Sequence, residues 1–394
     1  ADGDVALLSG RAGTGKTHLL AAAREAWTKE GFHVVGAAVA ARAARQLQKD
    51  SRIESSTIAK FLIELAKPRS VLSPGSAPLT PKTVLVIDEA GMVGTSMMKT
   101  LLAEVRKARA KAVLVGDERQ LQPIEPGGPF ASLVRTIGAA RLTDNRRQRE
   151  PWMRQAVQHF REGSAQDGLR LLAEHDRFHI ADTRSQAMTA LIENWQKGRA
   201  SPATGSNSVL ILGAQREDVK SLNELAQAAR LKAGELARNS SASAGQYTFR
   251  LGDRVVFTHN ERKLGVLNGD FGTVVAIRRL LPLSKAQLTI RLDEPGACRF
   301  WASGTRFVTV KADSTLALDL GYAITTHKAQ GATVDRSYVL LGGLMTDREL
   351  TYVQMSRPRD ETHVYASEAD AGEERSDAAS AAAAIRWPCR SAGT

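Results

Sequence analysis

Cysteine is almost absent: the 394 residues hold two, Cys298 and Cys389. That leaves no material for a disulfide framework or a zinc cluster, and the reading is of a protein in a reducing, cytoplasmic compartment. Long apolar runs are missing too. No stretch reaches the roughly 18 residues that cross a bilayer, and the first residues lack a signal-peptide pattern, so neither a membrane span nor export is expected. Acidic residues are outnumbered, 42 Asp and Glu against 54 Lys and Arg. The resulting charge of +12 favours a polyanionic partner over a small neutral substrate. Hydrophobic residues make up 43% of the chain, enough at this length for two or three domains with their own cores.

Residues 10–17, Gly-Arg-Ala-Gly-Thr-Gly-Lys-Thr, fit the phosphate-loop pattern G-x-x-x-x-G-K-[ST]. They stand between an apolar run at 5–8 and a helical stretch starting near Lys16, the strand, loop and helix order that the motif requires. Gly10 opens the loop and Thr14 lies between Gly13 and Gly15, whose lack of Cβ lets successive backbone N–H groups and the helix N-terminus converge on a polyphosphate. Lys16 is placed for the β- and γ-phosphates, and the Thr17 hydroxyl for Mg²⁺.

The same chemistry requires a carboxylate at the end of another buried strand. Residues 84–89, Val-Leu-Val-Ile-Asp-Glu, supply Asp88 for the metal's water shell and Glu89 as general base toward the attacking water. A third apolar run, 112–115, leads into Gly-Asp-Glu-Arg-Gln-Leu-Gln-Pro at 116–123, where Gln120 can hydrogen-bond the γ-phosphate or its water. Three strand-end clusters in one chain describe a nucleotide-hydrolysing core that uses Mg²⁺.

Residues 1–148 alternate apolar strands with amphipathic helices, as in a doubly wound parallel sheet, broken by a Pro/Ser-rich surface loop at 68–81. A helical region follows from Pro151 to about Lys197, with Trp152, Phe160 and Trp195 as packing anchors. The apolar residues 209–212 open a second α/β unit, continued by a helix over 216–238, and a Ser/Ala/Gly run at 239–245 then breaks the pattern. From 246 to 311 the period changes to two, with turns such as Asn268-Gly269-Asp270, which predicts a small β-barrel inserted in the second unit. Arg254, Arg262, Lys263, Arg278 and Arg279 are its candidate basic rim. The α/β pattern resumes over 312–368, and 369–394 reads as a flexible tail.

A second α/β unit beside a nucleotidase suggests a motor with ATP in a cleft between the two. The second unit should then deliver arginines to the γ-phosphate, because transition-state charge calls for cations brought across to it. Arg147 and Arg357 are the candidates, with Arg146 and Arg359 left open by spacing.

These residues resemble the motifs of superfamily 1 helicases over nearly the whole chain. Residues 10–17 are similar to motif I, Asp88 and Glu89 to motif II, 116–123 to motif III and 142–148 to motif IV. Thr-His-Lys-Ala-Gln-Gly at 326–331 resembles motif V, and 352–357 motif VI. The wording of motif V and the inserted barrel resemble the RecD-like, 5′-to-3′ branch. Within it, 116–125 and 142–150 look most like the helicase region of conjugative (MobF-type) relaxases. The resemblance implies two RecA-like parallel-sheet domains with an SH3-like β-barrel inserted in the second. It also implies an ATPase stimulated by single-stranded DNA, action at single/double-strand junctions, and DNA contacts from Thr326, His327, Lys328 and Gln330.

The segment aligned with motif Ia, 38–44, lacks the Pro and Thr of RecD-type proteins, and Arg42 alone is carried over as a DNA-backbone contact. The family's adenine-reading Gln lies upstream of motif I, and the chain starts just before that motif. It is therefore expected to be a fragment of a longer protein, with a relaxase domain upstream. No His cluster with a nucleophilic Tyr resembles a nicking site, so unwinding or translocation without nicking is expected. The rival expectations are a stand-alone RecD-like repair helicase and a non-motor ATP-dependent switch. Against the second stand the intact Lys16, Asp88, Glu89, Gln120, Arg147 and Arg357.

Overall fold

The computed structural model describes residues 4–67, 79–121, 123, 125, 127–199, 209–278, 286–293, 305–313, 316–342 and 347–371. Gln122, Arg279, both cysteines, most of the Pro/Ser-rich loop and most of the expected tail lie outside the described residues. Two units divide the chain, Ala1–Arg149 and Glu150–Thr394.

In the first unit, β1 (Val5–Gly10), β2 (His33–Ala38), β3 (Glu54–Thr57), β4 (Thr83–Asp88), β5 (Lys111–Gly116) and β6 (Ala140–Leu142) form one sheet. Its order is β3-β2-β4-β5-β1-β6 and every pairing is parallel. The helices are α1 (Lys16–Lys29), α2 (Ala41–Ser51), α3 (Ile58–Leu65), α4 (Thr95–Lys107) and α5 (Pro129–Ile137). A parallel sheet covered on both faces needs strands that are apolar on both sides, and Val84, Leu85, Val86 and Ile87 are all buried. Leu85, Ile87 and Leu114 pack with Ile58 of α3, Leu101 of α4 and Phe130 of α5. Val84, Val86 and Val115 pack on the other face with Leu20 of α1 and Leu47 of α2. The register sets Ser9 beside Gly116, Gly10 beside Leu142, and Ile87 beside Leu114, so the carboxyl ends of β1, β4, β5 and β6 line up along one edge of the sheet. Ligands of such sheets bind at that edge.

The second unit starts with α6 (Pro151–Glu162) and α7 (Ala165–Glu174), then β7 (Phe178–Ala181) and α8 (Arg184–Arg199). The expected all-helical stretch to Lys197 therefore contains a strand. It is a four-residue strand at the sheet edge, with only Phe178 fully buried, so it carries no apolar run to read. Phe160 and Trp195 are buried anchors as expected, whereas Trp152 is half-buried and stacks on His175 at 3.9 Å.

β8 (Val209–Gly213) and α9 (Arg216–Lys232) follow, then β9 (Ser241–Ala244) and β10 (Tyr247–Arg250). The Ser/Ala/Gly run does end the α/β alternation, but as a strand: β9 pairs antiparallel with β10 around a turn at Gly245, φ +58°. β11 (Arg254–Phe257), β12 (Phe271–Arg278), β13 (Gln287–Leu292), β14 (Phe307–Lys311) and β15 (Leu318–Leu320) make an antiparallel sheet ordered β14-β13-β12-β11-β15. Then come β16 (Ala323–Thr325), β17 (Val334–Leu340), α10 (Arg348–Met355), β18 (Pro358–Ser367) and α11 (Glu368–Ala371). The second parallel sheet has the order β16-β8-β17-β18-β7, and the antiparallel sheet interrupts it between α9 and β16.

Polar side chains of α9 fix the insert in place. Asn223 accepts the backbone N–H groups of Tyr322 and Ala323 at 3.0 and 2.9 Å and donates to the Ala323 carbonyl, also at 2.9 Å. Gln227 donates to the buried Asp253 carboxylate at 2.6 Å, and Arg230 donates to the Gly252 carbonyl and the Tyr322 hydroxyl, each at 2.9 Å.

Candidate active site

Gly10 is the last residue of β1, and Lys16 and Thr17 start α1. Gly13 and Gly15 hold φ of +79° and +81°, a region that side-chained residues enter only under strain. Gly13 is hemmed in as well, because a Cβ there would stand 2.4 Å from Arg147 Cβ. No side chain caps α1 and its first turn holds no acidic residue, so its terminal N–H groups suit an anion. The Lys16 ammonium is folded back on the loop, donating to the carbonyls of Gly10 at 2.7 Å and Arg11 at 3.2 Å. Thr14 Oγ1 also donates to the Arg11 carbonyl, at 2.9 Å, and the partly buried Thr17 sits beside Lys16.

Asp88 closes β4, and Lys16 and Glu89 are near enough to shape its charge. Burial first and Glu89 second push the Asp88 carboxyl up to about 7, while Lys16 opposes the rise. Glu89 has φ +51°, a left-handed backbone that costs a residue with Cβ about 1 kcal/mol or more. It starts a 3₁₀ turn, Ala90–Met92, whose Gly91 lies so near Asp117 that an added Cβ would stand 3.1 Å from the Asp117 carbonyl. The second and third clusters therefore touch. Gln120 is 5% exposed, donates to Asp117 at 3.4 Å, and its Oε1 is buried with no partner among the described residues. Glu118 accepts from Ser9 Oγ of β1 and from Arg141 of β6 at 3.0 Å, tying three strand ends together.

Arg147 corrects an expectation. Delivery of the arginines by the second unit does not hold for Arg147, which belongs to the first unit, inside the bounds of 1–148 read for it from the sequence. The physical reason is that β6 joins the sheet beside β1, which lays residues 142–148 along the phosphate loop. Arg11 donates its N–H to the Leu142 carbonyl at 3.3 Å, and Arg146 donates its N–H to the Gly13 carbonyl at 2.9 Å. Lys16, Asp88, Glu89, Gln120 and Arg147 are thus all on one edge of one sheet. Arg42, partly buried, is in the first turn of α2.

The remaining motif residues belong to the second unit. Thr326 follows β16 and is fully buried, with its N–H bonded to the Gly213 carbonyl at 3.1 Å. Gln354 of α10, also fully buried, donates to Thr326 Oγ1 at 2.8 Å and so joins motifs V and VI. Arg357 is 2% exposed and donates from Nε to the Val353 carbonyl at 2.9 Å and from Nη2 to Ser356 Oγ at 2.8 Å. Its guanidinium is directed by the end of α10. His327 is exposed, Lys328 pairs with Asp319 at 3.4 Å, and both Gln330 amide atoms are buried without a partner among the described residues. Of the expected basic rim, Arg262, Lys263 and Arg278 are exposed, while Arg254 grips Asp293 with two bonds and lies over the Phe271 ring at 5.1 Å.

Glu118, Asn145 and Gln354 organise these sites, and each lies inside a motif already legible in the sequence. Asn in a strand-end loop is an Asx-turn signal, whatever residue stands two positions on. Gln354, on a helix whose neighbours are buried, shows no sequence mark of its partner 28 residues away.

The groups present fit a nucleotide and a divalent cation. Two glycines at positive φ, an uncapped helix N-terminus and Lys16 suit polyphosphate, and an Asp88 carboxyl raised by burial and by Glu89 is short of a cation. Among the described residues no group of three His, Cys, Asp or Glu forms a separate metal site, and no helix is long and apolar enough to cross a membrane.

Comparison with known proteins agrees with this geometry. The family described as an AAA domain matches residues 1–183. The conjugal transfer protein TraA of Agrobacterium fabrum is 38% identical over 363 residues, 92% of this chain and 31% of that protein. The ATP-dependent RecD2 DNA helicase of Deinococcus radiodurans is 27% identical over 368 residues, covering 90% of this chain and 46% of its own. The chain thus spans less than half the length of either relative. In fold it is similar to Bacteroides Pif1 bound to ssDNA, with a TM-score of 0.56 at 20% identity over 91% of this chain and 88% of that one. The resemblance to RecD-like helicases and to the helicase region of conjugative relaxases is borne out, and the two parallel sheets share the α/β architecture of such helicases.

Proposed function

We propose that this chain is an ATP-driven motor that moves 5′ to 3′ on single-stranded DNA and opens single/double-strand junctions, as the motor region of a longer conjugal-transfer protein. The observation that carries the reading is the gathering of Lys16, Asp88, Glu89, Gln120 and Arg147 along one sheet edge around a phosphate loop. The higher identity to TraA, 38% against 27% for the RecD2 helicase, supports the conjugal setting over a stand-alone repair role. An upstream relaxase domain belongs to the same proposal.

In this reading Gly10, Gly13, Thr14 and Gly15 shape the seat for the phosphates and Lys16 leaves its loop carbonyls to meet them. Thr17 and Asp88 would hold Mg²⁺, which, when bound, neutralises phosphate charge. Glu89 takes the proton of the attacking water, Gln120 orients that water, and Arg147 and Arg357 answer the charge that builds up on the transferred group. The two parallel sheets act as RecA-like domains, 1–148 and 149–368 around an SH3-like insert at 246–311, with DNA contacts from Arg42, Thr326, His327, Lys328 and Gln330. The exposed Arg262, Lys263 and Arg278 make the insert a brace for the backbone of the strand.

The test compares two partial duplexes, one with a 5′ and one with a 3′ single-stranded tail, in the presence of ATP and Mg²⁺. Unwinding of the 5′-tailed substrate alone, lost in Lys16→Ala, is expected. Unwinding of only the 3′-tailed substrate rejects the polarity, and hydrolysis in Lys16→Ala above about a tenth of the wild-type rate, a loss of roughly 1.4 kcal/mol, rejects the site.

A further inference from the structure

Residues 142–148 run alongside the phosphate loop, held to it by the bond from Arg11 N–H to the Leu142 carbonyl at 3.3 Å and from Arg146 N–H to the Gly13 carbonyl at 2.9 Å. One side chain closes this segment on itself. Asn145 Oδ1 accepts the backbone N–H of Arg147 at 3.0 Å, an Asx turn, and Asn145 Nδ2 donates to Gln148 Oε1 at 2.6 Å. Gln148 is 1% exposed, so the amide is anchored on a fixed partner. The turn also presses on the loop, because a Cβ on Gly13 would meet Asn145 Oδ1 at 2.7 Å and Arg147 Cβ at 2.4 Å.

We propose that Asn145 is a positioning residue for ATP hydrolysis: it fixes the backbone of Arg147 against Gly13 so that the guanidinium starts from a set place beside the phosphates. The inference rests on the reading of Arg147 as a charge-stabilising group. An arginine on a strand-end loop has many rotamers and a movable root. Removing the motion of the root leaves less to be lost when the side chain meets the developing charge. Asn145 itself touches no substrate in this scheme. Its effect should fall on turnover and pass through Arg147, whereas a merely structural residue would lower stability and affinity together.

Asn145→Ala, Asn145→Ser, Arg147→Ala and the two double variants are compared by steady-state ATP hydrolysis on saturating single-stranded oligonucleotide, together with thermal unfolding. Asn145→Ala is expected to lower kcat by about 10- to 100-fold with KM for ATP within about threefold. The serine variant keeps an oxygen able to accept the Arg147 N–H, more weakly, and should lose about threefold. In the Arg147→Ala background neither change should lower kcat further, since a residue that acts through another adds nothing once that one is gone. A wild-type kcat in Asn145→Ala, or equal fold-losses in both backgrounds, overturns the proposal. If Asn145→Ala does not unfold cooperatively, Asn145→Ser decides alone by the same two criteria. Arg147→Ala with unchanged turnover would sink the role of Arg147 and the positioning with it. A slow Arg147→Ala beside a normal Asn145→Ala sinks only the positioning.

Discussion

Tyr322 donates its hydroxyl hydrogen to Asp253 at 2.6 Å, and that carboxylate is fully buried. The same oxygen accepts from Arg230 at 2.9 Å and from the Arg254 N–H at 3.3 Å. Burial, then the neighbouring Asp253 charge, raises the phenol well above its ordinary range, so it stays a donor. One side chain thus links α9, the start of the antiparallel insert and the strand leading to Thr326.

Tyr322→Phe leaves the buried Asp253 one donor short and the partly buried Arg230 one acceptor short. The expected loss is about 1–3 kcal/mol in urea unfolding of the second unit, with the m-value unchanged. A loss below about 0.5 kcal/mol would mean that the linkage carries no weight.

Glu89→Gln keeps the shape of the side chain and removes its basicity. Nucleotide affinity, followed with a fluorescent ADP analogue, should stay within a few-fold, while turnover on single-stranded DNA falls by about 10²–10⁴. Near-normal hydrolysis would remove Glu89 as the base.

A motor that steps along any sequence must grip phosphates without reading base edges. Log K for oligonucleotide binding should fall linearly with log salt, with a slope of about −0.7 for each phosphate neutralised, and vary little with base composition. A flat plot, or a strong preference for one sequence, contradicts the assignment.

The His363 ring, 3.6 Å from the carboxylate, together with Arg336 and Arg177, holds the Glu361 carboxyl at about 2 against an ordinary 4.5. A carboxyl depressed by folding adds stability that is fully present above its unfolded value and is lost as pH falls through the folded one. The second unit should therefore lose stability between about pH 4.5 and 2, and Glu361→Gln should flatten that slope while leaving the curve above pH 5.5 parallel to the wild type. Urea midpoints measured across this range decide it; identical slopes in the two proteins would assign the acid loss elsewhere.

The strand-end placement of the candidate groups was legible because it is local. Gly13, Gly15, Lys16, Asp88 and Gln120 each follow an apolar run whose burial needs no partner to be inferred. What escaped was set by pairing across distance. β6 is three residues long and none of them is fully buried, and its place beside β1 is what lays Arg147 against the phosphate loop. β7 hides between two helices for the same reason. The extent of the insert differs too, since Leu318–Leu320 pairs with β11 from beyond the expected limit of 311, while among the described residues β9 and β10 pair only with each other. Asn145 and Gln354 were visible as letters, and their roles depend on partners that only the fold supplies.

The Lys16 ammonium already has two acceptors, the carbonyls of Gly10 and Arg11. If Lys16 meets phosphate as proposed, an incoming phosphate takes part in an exchange, winning a cation away from its resting seat, and the net gain is the difference between two sets of bonds. The same seat is open when the chemistry is over. As the γ-phosphoryl group leaves, the loop's own carbonyls compete for the ammonium, and the loop carries an internal rival to its product. Under that proposal such a loop trades tightness for turnover, giving up some affinity for the nucleotide in return for an easier release of the spent one.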